Sequence, residues 1–401
     1  MRLTDRSLVA AMCVGQLGNL LPHVAVPAVM PQYLMPAWQL TATEAGMMAS
    51  AFAFGYMVAV PFLTTLTDRI DARLILLAGS AATSAAALAF GIFAHGLWSA
   101  TIIWALTGIG FAGAYMPGLK ALTDRLPPGD VSRSVTLYTS SFSFGVGLSF
   151  LVAQVAAERL GWRSAFLITG TGPLIMVAVC LAMAPVKPAG TKRPLLDFGP
   201  VVRNRPALGF ILGYGAHCFE LYGVRTWIVA FWTFVTARQP GGVWFSPLAV
   251  SVAFSLLAMP SSIFGNEVAM RFGRYRALTV LMLASALVAI GIACSMSAPP
   301  VVLLALLTAY AFTVPSDSGA LTSGMTMSAE PSHKGATMAL HTTVGFGLSA
   351  AGAWGAGFVL DLAGGPSTAS GWSALFALLA ASIVLGPLAL KWSQREERRS
   401  S

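Results

Sequence analysis

Charge is what this sequence has least of. Only 10% of its 401 residues are Asp, Glu, Lys or Arg, where soluble domains carry roughly 25%. So few charges cannot coat a water-facing surface, which excludes an ordinary soluble domain. Acidic side chains are the scarcer sign, 15 against 24 Lys and Arg, for a net charge of +9. On a soluble chain that excess would suggest nucleic acid, but the bases fall between apolar runs, so no nucleic-acid partner is expected. Cysteine is also rare. Cys13, Cys180, Cys218 and Cys294 all lie in apolar runs, without CxxC or metal-ligand spacing, so neither a disulfide framework, a metal site nor a cofactor is expected. No Walker loop is present, which removes ATP as the energy source. No Ser–His–Asp set can be argued from spacing, so the chain is not read as an enzyme.

What the sequence has in abundance is long apolar stretches: 56% of residues are hydrophobic. A membrane-crossing helix needs about 20 of them. Twelve spans can be placed, near 7–30, 44–66, 73–94, 97–120, 134–157 and 164–184, then 207–234, 247–269, 276–297, 299–323, 336–359 and 372–391. In lipid such runs must satisfy their own backbone hydrogen bonds and are therefore helices. They do not alternate as the strands of a β-barrel would. The first run follows Arg2 and Arg6 and could imitate a leader; its length and the spans after it make it a retained first helix. The fold class is thus an all-α polytopic membrane protein of two six-helix bundles, 1–184 and 207–391. Between them lies a linker, 185–206, rich in proline and carrying Lys187, Lys192, Arg193, Arg203 and Arg205, and the chain ends in a tail, 392–401.

Placing both termini in the cytoplasm of a bacterial-type cell puts 20 of the 24 Lys and Arg on that side, as the positive-inside bias requires. The expected location is the inner membrane. The two halves also repeat. GVGLS at 145–149 returns as GFGLS at 345–349, and the turns before them carry Pro128 with Arg133 and Pro331 with Lys334. Charged turns TDRIDAR (67–73) and AMRFGRY (269–275) close the proline-containing second and eighth spans. Parallel repeats of this kind place a site between halves in many transporters.

These motifs, over nearly the whole chain, resemble the major facilitator superfamily. Its signature loop between spans two and three, commonly GxLaDRxGRR, appears as TTLTDRIDAR (64–73): Leu66, Asp68, Arg69 and Arg73 match, while Thr64, Asp71 and Ala72 depart. The second-half copy keeps Arg271, Gly273 and Arg274, with Met270 in place of the acid. The resemblance implies a secondary transporter working by alternating access. It also implies a gate formed by Asp68, Arg69 and Arg73, with Arg271 and Arg274 as counterparts. A carboxylate at a helix end can latch onto bases and a neighbouring helix N-terminus; the competing reading is a solvated turn. Trp104 stands where the superfamily's drug antiporters carry an arginine, and span five lacks their proline. The pattern is closer to cyanate and nitrate/nitrite anion porters.

Ionisable groups inside spans cost about 2.5–3.5 kcal/mol each on insertion scales and mark candidate sites. The seventh span, GYGAHCFELYGVRTW (213–227), holds Tyr214, His217, Glu220 and Arg225. His217 and Glu220 share a helix face. Arg225 is the expected anion receptor, since its planar fork suits carboxylate oxygens, and Glu220 the proton-coupling group. Two bland readings stand beside this: a self-neutralising Glu220–Arg225 pair, and Arg225 snorkelling to an interface. In the first span Gln16 and Asn19 align with Tyr214 and His217, with His23 one turn further on; packing hydrogen bonds would explain them equally well. Asp317 follows the helix-disrupting Pro315, and Lys120 follows Pro117 at the matching place in span four, where a simple end charge competes. Glu267 is expected to pair with Arg271 four residues on. His341 and Tyr138 are either pore-lining or core. Taken together, the residues describe a monomeric proton symporter of a small anionic solute in the lipid bilayer. An efflux transporter of small organic or drug-like compounds, and a membrane sensor that transports nothing, are the alternatives.

Overall fold

Apolar runs that enclose their own backbone bonds become helices, and helices are what the chain forms. The structure, a computed structural model, describes residues 5–127, 131–188, 196–238, 245–330 and 333–400. Arg2, Pro128, Lys192, Arg193 and Pro331 lie outside these, as do the side chains of Arg133, Arg395, Arg398 and Arg399. Among the described residues there is no strand.

Among the described residues, ten helices are long and apolar enough to cross a membrane: Ala42–Leu66, Ala72–Phe93, Leu97–Thr123, Ser134–Leu160, Trp162–Ala182, Pro247–Phe272, Arg274–Cys294, Pro300–Ser328, Lys334–Leu362 and Ala369–Gln394. An eleventh crossing is a pair, Arg6–Leu20 and Ala25–Trp38, bent by 48°. The twelfth is Arg205–Ala237, at 33 residues the longest. At 1.5 Å per residue it spans about 50 Å, ample for a hydrocarbon core of about 30 Å. It falls short of the others in apolar character because it carries the ionisable groups of the seventh span. The chain is a multi-pass membrane protein of this twelve-helix architecture.

The first span corrects the sequence-based bounds. It runs past 30 to Trp38 and breaks at residues 21–24, so His23 sits in a turn rather than on Asn19's helical face. Ser149, from the GVGLS repeat, holds this break: its hydroxyl donates to the Leu21 carbonyl (2.6 Å) and accepts from the Val24 amide (3.1 Å). In the second half the seventh span is unbroken, and the matching Ser349 turns back to its own Gly345 carbonyl at 2.9 Å.

Contacts divide the chain into one unit of Met1–Leu34 with Ala51–Leu196 and another of Met35–Ser50 with Asp197–Ser401. The start of the second span is grouped with the second unit. Asp361 explains this. Its carboxylate accepts from the amides of Ala42 (3.0 Å) and Thr43 (2.6 Å) and from the Thr43 hydroxyl (2.6 Å). Two of the donors left open at a helix N-terminus are thereby satisfied by a distant residue. Thr41 and Glu44 complete the cap with reciprocal bonds, Thr41 N to Glu44 Oε2 at 2.9 Å and Glu44 N to the Thr41 hydroxyl at 3.2 Å, the pattern of a capping box.

Within each unit, helices approach where glycine removes the side chain. In the first unit a Cβ on Gly55 would overlap the Ala105 carbonyl, and one on Gly108 the Phe52 carbonyl, so spans two and four cross backbone to backbone. In the second unit Gly265 of span eight meets the Ser316 carbonyl of span ten. Small residues allow such approach in lipid, where apolar burial gives helices no reason to associate.

Candidate functional site

The seventh span begins at Asn204, whose side chain accepts from the Ala207 amide at 3.2 Å, with Pro206 in the first turn, where its missing amide costs nothing. Three turns on, it buries His217, Glu220 and Arg225, none more than 6% exposed. His217 Nδ1 lies 2.6 Å from Asp317 Oδ1, both residues 2% exposed. Asp317 comes from the tenth span, which is interrupted there. The helix Pro300–Thr313 gives way behind Pro315 to a tight turn, Val314–Asp317, before Ser318–Ser328. Span eight supports the interruption: Ser261 donates to the Phe312 carbonyl and Ser262 bonds the Ser318 hydroxyl at 2.9 Å.

Glu220 does not pair with Arg225, so the self-neutralising pair is not formed. Its Oε1 accepts from the hydroxyls of Ser285 (2.8 Å) and Tyr310 (2.9 Å). Its Oε2 has no hydrogen-bond donor among the described residues. Arg225 is not snorkelling either: it is buried, with its guanidinium carbon 5.2 Å from the Tyr222 ring centre. Among the described residues no carboxylate lies within ion-pair distance of it, and its Nε has no acceptor. Burying a cation without a paired charge is costly. Tyr214 stacks on His341, ring centres 3.9 Å apart, and lies 5.6 Å from His217. Gly345, from GFGLS, makes the space: a Cβ there would come 2.6 Å from Tyr214 Cε1. Ser285 and Tyr310 escaped the sequence reading. The available signal was that Tyr310 precedes Asp317 by seven residues, two helical turns.

In the first unit Gln16 and Asn19 are fully buried and His23 nearly so. The Tyr138 hydroxyl donates to Gln16 Oε1 at 2.8 Å. The His23 ring is enclosed by Phe52, Phe111 and Phe142 at 4.9, 5.2 and 5.4 Å between centres. Asn19 has neither amide atom bonded among the described residues. Trp104 packs among Phe52, Phe90 and Phe166, and so adds an aromatic wall where the antiporter arginine would stand. Lys120 does not join this set. It pairs with Asp124 at 3.1 Å, both side chains about a third exposed.

The loop between spans two and three holds charge at a different residue from those the resemblance named. Asp68 and Arg69 are exposed. Asp71, where the signature has glycine, accepts both Nη2 contacts of Arg125 (2.9 and 2.8 Å), the Val186 amide (2.8 Å) and the Arg73 amide (2.9 Å). Arg125 also donates to the carbonyls of Ala121 and Ala184, and Arg73 to that of Met183. Burial pushes the Asp71 carboxyl up, but the hydrogen bonds and charge of Arg125 and the two amides outweigh it and hold it below its ordinary value. In the second unit Arg274 plays the tying role, donating to the Ala320 carbonyl at 3.0 Å and to the Ser323 hydroxyl. Arg271 is exposed and lies over Phe272, and the expected Glu267–Arg271 pair is absent among the described residues.

A family model described as Major Facilitator Superfamily matches residues 12–353. The chain belongs to this superfamily. Superfamily relatives include a gallate transporter of Pseudomonas putida, 28% identical over 163 residues, covering 40% of this chain and 36% of that one. A gentisate transporter of Corynebacterium glutamicum is 24% identical over 215 residues, covering 49% and 47%. The chain thus spans less than half the length of these curated relatives. A bacterial homologue of the human lysosomal transporter Spinster, solved inward-facing and occupied, superposes with TM-score 0.74 at 16% identity, over 98% of this chain and 96% of that one. At that identity the likeness is one of fold.

Proposed function

We propose that this superfamily member is a secondary transporter that carries a small organic anion together with protons across the inner membrane, by alternating access, as a monomer with both termini in the cytoplasm. The observation that carries the reading is the state of the three buried ionisable groups of span seven. Both carboxylates of the site are engaged elsewhere, Asp317 by His217 and Glu220 by Ser285 and Tyr310, which leaves Arg225 without a counterion among the described residues. A substrate carboxylate is the natural partner for its fork. The buried His217–Asp317 pair, with Nδ1 and Oδ1 2.6 Å apart, is the coupling element of this reading. His341 and Tyr214 orient His217. In the first unit, Gln16, Asn19 and His23 with their surrounding rings form a second polar set suited to a planar solute; two relatives are named for gallate and gentisate. Asp71, Arg73 and Arg125 form the gate in the first unit and Arg274 its counterpart; Asp68, Arg69 and Arg271 give the positive face around it.

Proteoliposomes loaded with purified protein test this. Uptake of labelled gallate, benzoate and shorter carboxylates is followed under an imposed pH gradient, inside alkaline. Proton-driven uptake of at least one is expected, and Arg225→Lys, which keeps the charge but loses the fork, is expected to lower it more than tenfold, a loss of about 1.4 kcal/mol or more. If Arg225→Lys carries every anion as well as the wild type, the assignment fails.

A further inference from the structure

Beyond this single-proton reading, and resting on it, lies the environment of Glu220. The tenth span is in two pieces, and span seven touches each piece through a different acid. Glu220 meets Tyr310, on the helix before the interruption. His217, one turn away on span seven, meets Asp317, which closes the tight turn after it. The two acids therefore have separate partners and report on separate halves of one broken helix. Both hydroxyl donors of Glu220 go to the same oxygen, Oε1, and neither Ser285 nor Tyr310 is more than 1% exposed. Oε2, fully enclosed, is committed to nothing among the described residues. A proton can arrive at or leave Oε2 without breaking either bond to Oε1.

The titratable and charged groups around it are few. Span ten contributes Tyr310 and Asp317, and span eleven His341. Span nine contributes the non-titrating Ser285, and span twelve the apolar Phe376 against Tyr310. Span seven itself carries His217, Cys218, Tyr222 and Arg225.

We propose that Glu220 is a second proton-binding site, alongside the His217–Asp317 pair. A monovalent anion would then travel with two protons, one on Glu220 Oε2 and one on the His217–Asp317 pair, and each cycle would move one net positive charge.

Acid-titration difference infrared spectroscopy of the purified full-length protein, with no substrate added, tests this. Among the protonated-carboxyl stretching bands that grow on acidification, two are expected to belong to these buried acids. Glu220→Gln removes one and Asp317→Asn the other. Tyr310→Phe and Ser285→Ala, which each delete one donor to Oε1, shift the Glu220 band without removing it; they serve also if Glu220→Gln does not fold, as judged by its thermal unfolding. If Asp317→Asn removes a titrating band, and Glu220→Gln, Tyr310→Phe and Ser285→Ala leave the spectrum as it was, the second site is refuted and the one-proton mechanism stands. If none of the variants alters a titrating carboxyl band, both fall.

Discussion

The knot around Asp71 makes a quantitative claim about stability. The Asp71 and Arg125 side chains are 9% and 6% exposed, so their pairing belongs with buried ion pairs rather than with surface ones. Removing one partner of a buried pair typically costs about 3–5 kcal/mol. Arg125 keeps its bonds to the Ala121 and Ala184 carbonyls, which places Asp71→Ala near the lower end, about 3 kcal/mol. Arg125→Ala strands a carboxylate that still has two amide donors, from Val186 and Arg73, and a similar loss is expected. The double variant should cost less than the sum by about 1–3 kcal/mol, as contacting partners do. The assay is denaturant unfolding of the detergent-purified protein, followed by tryptophan fluorescence, for the wild type, both single variants and the double variant. The sign with pH follows from the depressed Asp71 carboxyl. Its contribution is fully present above the unfolded carboxylate value of about 3.9 and is lost as pH falls through the lower folded value. The gap between wild type and Asp71→Asn should accordingly be constant from neutral pH down to that region and narrow below it. Strict additivity of the two single variants at pH 7 would refute the reasoning.

Two further perturbations follow from the packing. Gly265→Ala places a methyl group on the Ser316 carbonyl, where backbone cannot yield cheaply, so a loss of about 1–3 kcal/mol is expected from overpacking; the same substitution at Gly335, where nothing lies within 4 Å, is the control and should be near neutral or stabilising in thermal unfolding. Asp361→Ala strips three hydrogen bonds from the start of the second span. Loss of a cap of this kind costs about 1–2 kcal/mol, and hydrogen exchange at the Ala42 and Thr43 amides should accelerate by at least tenfold; unchanged exchange would mean that the Thr41–Glu44 box alone holds that end.

Much of the architecture was legible because the bilayer allows so few solutions. Apolar runs had to be helices, their number followed from their spacing, and Pro315 announced the interrupted tenth span. Legibility ended where a residue's partner lies far along the chain. Asp71 looked like a damaged glycine position in a known motif, yet its partners are Arg125, 54 residues on, and Val186, 115 residues on. The matching residues Asp68 and Arg69 face solvent. His217 and Asp317 were each picked out as costly buried groups, but local spacing favoured His217 with Glu220, since helical periodicity speaks only of neighbours on one helix. The Ser149 that holds the broken first span was hidden in a repeat read as a packing surface.

By itself, then, the sequence determined that this protein lives in lipid, that it crosses as a dozen helices in two related sets, and that a handful of ionisable groups are buried there at a cost. Those are properties of composition and short-range period, which a linear string records in full. Which acid meets which base, and which cation is left without a partner, was decided only by the tertiary structure. Pairing depends on the angles and offsets at which helices far apart in the chain are brought together.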